Sequence, residues 1–62
     1  MTREEVLLKS AGVIRTVAEG IAEAHTLSGV WGSDPDDQRA QQDHDECLEL
    51  ACLLVAMAKG PA

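Results

Sequence analysis

The chain has 62 residues, enough for one small domain whose core is marginal without a disulfide, a metal, a partner or very regular helix packing. One Trp with no Phe and no Tyr argues against a small β-sandwich or barrel, while the supply of Ala, Leu and Glu favours helix. Eleven acids against five bases, a net charge of −6, oppose direct binding to a phosphate backbone and suit a basic-surfaced protein partner.

The first element opens at Thr2, with Glu5 at capping-box spacing. Val6, Leu7, Ala11, Val13, Ile14, Val17, Ala18, Ile21 and Ala24 then fall on one broad face at 100° per residue, with Lys9, Arg15, Thr16, Glu19 and Glu23 opposite. This pattern predicts an amphipathic helix over about residues 3–28, with Leu7, Ile14 and Ile21 a heptad apart as in bundle packing. Gly12 and Gly20 weaken it by about 1 kcal/mol each relative to Ala, and mark either a close approach or simple tolerance. The acid-rich start, MTREEV, lacks the basic and apolar segments of a secretory signal.

The stretch SGVWGSDP breaks the pattern and predicts a loop over about residues 29–34. Ser33 or Asp34 is the expected cap of a second helix, with Pro35 in its first turn and Asp36 and Asp37 against the positive end of its dipole. That helix is expected over about 35–59, closed by Gly60 and Pro61.

Two helices joined by a short loop pack antiparallel, so the apolar run CLELACLLVAMA, residues 47–58, lies beside Val6, Leu7 and Ile14. The run is too short to span a bilayer. The second helix carries two apolar seams. Ala40, His44, Cys47, Ala51, Leu54 and Ala58 form a small-residue seam suited to close approach by the first helix. Leu50, Leu53 and Met57 form another, turned by roughly 90°. One helix covers one seam. The second seam therefore predicts a subunit interface, and the expected fold is all-α: an antiparallel two-helix hairpin dimerising into a four-helix bundle. Leu50, Leu53 and Met57 are its expected dimer contacts; which helices meet at its centre stays open.

Several residues invite a chemical reading. His25, His44 and Cys47 are candidates for a metal- or ligand-binding bundle, but two ligands a turn apart are common by chance, and a core-rim histidine bonded to an aspartate is the commoner arrangement. A di-iron bundle needs Glu-x-x-His, which is absent from the sequence. Glu46 and Glu49 could in principle serve magnesium, although such pairs are usually a solvated face. Cys47 and Cys52 read as small core residues with reduced thiols, unable to bridge each other within one helix. There is no Ser/His/Asp set, no glycine-rich phosphate loop and no CxxC, so the chain is read as non-enzymatic, with no cofactor.

Trp31 either plugs the end of the hairpin or anchors a partner. Asp43, Asp45, Glu46 and Glu49 form an acidic surface for docking a larger, basic-surfaced protein. The resulting expectation is a small, acidic, cytoplasmic homodimer that regulates a protein partner, with no nucleic-acid or membrane binding. Inhibitors and adaptors of phage and mobile elements offer a fold-level analogy.

Overall fold

In the computed structural model, which describes residues 1–60, the chain is mostly helical and forms a hairpin of two helices. Helix α1 spans Arg3–His25 and helix α2 spans Pro35–Lys59, and their mutual packing forms a rod of 42 × 16 × 16 Å. Pro61 lies outside the described residues.

Thr2 is the N-cap of α1. Its hydroxyl accepts from the Glu5 amide at 3.1 Å, and Glu4 and Glu5 face the positive end of the dipole. The helix stops at His25, earlier than the expected 28. Thr26 takes an extended conformation, and both its amide and its hydroxyl turn back to the Ala22 carbonyl. The expected plain loop is instead a short ribbon. Strand β1 (Thr26–Leu27) pairs antiparallel with strand β2 (Val30–Trp31) across Ser28 and Gly29. Both of these residues have positive φ, 54° and 82°, the signature of the hairpin turn that matches strand twist. Gly29 adopts this geometry without the steric penalty that Ser28 carries. The ribbon is a two-residue-per-strand detail within the expected helical hairpin, and the β-branched Thr26 and Val30 on either side of the Ser-Gly turn favour strand pairing over further helix.

Asp34 occupies the N-cap position of α2, but its side chain makes no capping hydrogen bond, contrary to the expectation for this turn. Pro35 supplies the preset first turn, and Asp36 and Asp37 supply the charge. At the far end, the Gly60 amide closes on the Ala56 carbonyl, and Lys59 sits in the last turn. Arg3 donates to the Met57 carbonyl at 3.4 Å, tying the start of α1 to a carbonyl in the last turn of α2. At the opposite end, His25 Nδ1 lies 2.9 Å from Asp37 Oδ1. These two contacts fix the antiparallel register, and it is the one the loop length implies.

The core is narrow. Its buried residues are Ala11 and Ala18 on α1 and Ala40 and Ala51 on α2. Leu7, Ile14, Ile21 and His25 on α1, and His44, Cys47, Leu54 and Ala58 on α2, are half-buried beside them. Each helix thus presents a three-four repeat in which small and larger residues alternate, and the alanines let the backbones approach closely. No large side chain is fully buried. A Cβ added at Gly12 or Gly20 would meet nothing, so these glycines are tolerated on open surface and are not needed for close approach.

Because Ala51 is completely enclosed, Ala51→Leu should force the helices apart and cost about 1–3 kcal/mol, readable as a lower midpoint in urea denaturation. An unchanged midpoint would show that the seam is not closely packed.

Candidate functional site

Two surfaces collect the residues singled out by sequence. The first is the apolar side of the hairpin. Leu50, Leu53 and Met57 are exposed, as an uncovered second seam requires. Val6, Val13 and Val17 are exposed as well, which corrects their assignment to the core face of α1. All six are between 46% and 64% accessible. Each lies one position before a seam residue: Val6, Val13 and Val17 precede Leu7, Ile14 and Ala18, while Leu50, Leu53 and Met57 precede Ala51, Leu54 and Ala58. Since the helices run in opposite directions, the same 100° step carries both sets to the same side of the pair. They form one continuous apolar face toward the open end of the hairpin. A hollow of about 320 Å³ lies on the α1 half of this face, lined by Met1, Val6, Lys9, Ser10, Val13 and Ile14. The sequence did hold the signal for Val6, Val13 and Val17: a strict heptad through Leu7, Ala11, Ile14, Ala18, Ile21 and His25 leaves them out.

The second surface is the loop end. Trp31 is half-buried and meets the His44 ring edge-on, with centroids 5.2 Å apart and planes at 63°. The plug reading of Trp31 fits this contact better than a free anchor does. His44 Nδ1 in turn lies 3.1 Å from Asp45 Oδ1. His25 donates to Asp37, and the Gly32 amide donates to the His25 carbonyl at 3.2 Å. Gly32 packs so tightly on the Asp37 carboxylate that any Cβ there would collide with it. Each histidine is therefore engaged by its own aspartate. Among the described residues no three His, Cys, Asp or Glu side chains are grouped so that they could hold a metal ion, and the trio His25, His44 and Cys47 does not converge.

Asp43, Asp45, Glu46 and Glu49 are all exposed, and Asp43, Glu46 and Glu49 have no hydrogen-bond or ion-pair partner among the described residues. Cys47 is half-buried in the seam, whereas Cys52 is exposed, which corrects its reading as a core residue: it follows Ala51 and so turns away from the seam. The tip of the ribbon carries two exposed apolar side chains that the sequence reading passed over, Leu27 at 83% and Val30 at 69%. No helix among the described residues is long and apolar enough to cross a membrane. Compared with protein-family models, curated proteins and solved structures, the chain matches none.

His44→Ala removes the ring that shields Trp31 and should cost about 1 kcal/mol through the lost aromatic contact. Tryptophan emission should shift to the red, and acrylamide quenching should increase. Unchanged quenching would mean that Trp31 is already free in solution.

Proposed function

We propose that the protein is a small, non-enzymatic interaction module that acts as a homodimer and modulates a larger, basic-surfaced protein by occupying part of its surface. The observation that carries this reading is the mismatch between core and surface. The buried residues among those described are four alanines, while six larger apolar side chains stay half-exposed on one side. Burying the remaining half of each is worth about 1 kcal/mol per side chain, which favours a state in which that side is covered. Such a face resembles an interface more than ordinary monomer surface.

What supports a protein partner is the charge. A net charge of −6 is spread over a narrow rod, and the exposed acids Asp43, Asp45 and Glu46 stand on the half of α2 nearer the loop, with Asp43 and Glu46 continuing the apolar stripe and Asp45 turned away from it. A surface of this kind speeds encounter with a basic protein and opposes nucleic acid. The Trp31 ribbon, with Leu27 and Val30 at its tip, adds apolar contact area beside the acids.

The test is capture from the native host with the parent chain and with a version carrying Asp45→Asn and Glu46→Lys. Asn keeps an acceptor for His44, so thermal stability should stay nearly constant. Removing three units of negative charge should weaken the complex by roughly tenfold, as expected for several partly screened rim charges. A partner retained equally by both versions would remove the acidic surface from the docking site.

A further inference from the structure

We propose that a second copy of the chain covers the apolar face with the two-fold axis running along the hairpin, so that α1 of each copy packs antiparallel against α2 of the other. This inference rests on the homodimer reading above and specifies its geometry. Three observations select it.

The first is area. The accessible surface is 4644 Å². A compact monomer of this mass exposes about 3,900 Å². The excess, roughly 700 Å², is close to what each partner contributes to an interface of standard size.

The second is shape. On the apolar face α1 offers Val6, Ser10, Val13 and Val17, with a hollow of about 320 Å³ beside Ser10, while α2 offers the longer Leu50, Leu53 and Met57. The contacts Arg3 to Met57 and His25 to Asp37 set the levels along the rod, placing Ser10 between Leu50 and Leu53 in height. A two-fold axis along the rod preserves height. It therefore brings Leu50 of the partner subunit over the hollow, large side chain onto small. Stacking α1 on α1 would instead set valines on valines and leave the hollow unfilled.

The third is charge. Toward the loop end the α2 stripe continues into Glu46 and Asp43, while the α1 stripe continues into Gly20 and Ala24. Pairing α2 with α2 across full-length hairpins would press these carboxylates onto Leu50 and Leu53. Pairing α2 with α1 instead sets them level with Val13 and Val17 of the partner subunit, on a stripe that carries no opposing carboxylate. The same arrangement puts Lys9, at the outer edge of α1, near the height of Glu49 of the partner subunit, giving an ion pair on each rim.

The experiment uses full-length chains with Cys47→Ala and Cys52→Ser, whose folding is checked by circular dichroism. One version adds Ser10→Cys and the other Leu50→Cys. The two are mixed in equal amounts, oxidised mildly under native conditions, and the disulfide products separated by mass. The mixed disulfide should dominate over either self-disulfide. A dominant Ser10→Cys self-disulfide would overturn the arrangement in favour of α1 on α1 and leave the homodimer standing. A statistical mixture, or no disulfide, from a parent chain that sediments as a dimer would show that another face forms the interface. A parent chain that sediments as a single 6.6 kDa species at micromolar concentration would overturn the homodimer reading itself, and this geometry with it.

Discussion

Close approach of two helices along a seam of alanines sets the terms for the rest of the molecule. Ala11 and Ala18 face Ala40 and Ala51 across the hairpin, and the small size of these side chains brings the backbones together. The same choice limits what the hairpin can hide. A closely packed pair of helices encloses a strip about one side chain wide, and anything longer than alanine on its flanks projects into solvent. Leu7, Ile14, Ile21 and Leu54 are only partly covered for this reason, and the face made by Val6, Val13, Val17, Leu50, Leu53 and Met57 is about half exposed. Close packing within the chain and surplus apolar surface outside it have one cause.

The two ends of the rod solve different problems. At the open end, a long-range hydrogen bond from Arg3 to Met57 joins the helices, and Val6, Leu53 and Met57 are exposed there. At the loop end the chain must reverse while satisfying the last carbonyls of α1. It does so by a chain of polar contacts: Thr26 to Ala22, Gly32 to His25, and His25 to Asp37. Trp31 then folds over His44, closing that end with the largest side chain available. The polar contacts gather at the loop end and the exposed apolar face toward the open end.

The histidines show how position changes a chemical reading. In sequence, His25, His44 and Cys47 invite a metal, since imidazole and thiolate are good ligands and a helical turn is suitable spacing. In space the two imidazoles are oriented by Asp37 and Asp45, and His44 is further engaged by Trp31. Neither aspartate could be assigned in advance. Asp37 reads as a helix-dipole acid, and its contact with His25 depends on how the ribbon returns the chain. The ribbon depends in turn on the backbone angles of Ser28 and Gly29.

Periodicity by itself determined the two helices, their antiparallel packing, the small-residue seam of α2 and the exposure of Leu50, Leu53 and Met57. Those features follow from the 3.6-residue repeat and from a connection too short for any other packing. Only the tertiary structure decided where α1 stops, that Thr26–Trp31 pair as strands, that Asp34 leaves its cap unmade, and that Val6, Val13 and Val17 join the exposed leucines on one side. A helical wheel gives the angle at which a side chain leaves its own axis. It does not give the width of the strip that a neighbouring helix covers, and that width is fixed by how closely the two backbones approach.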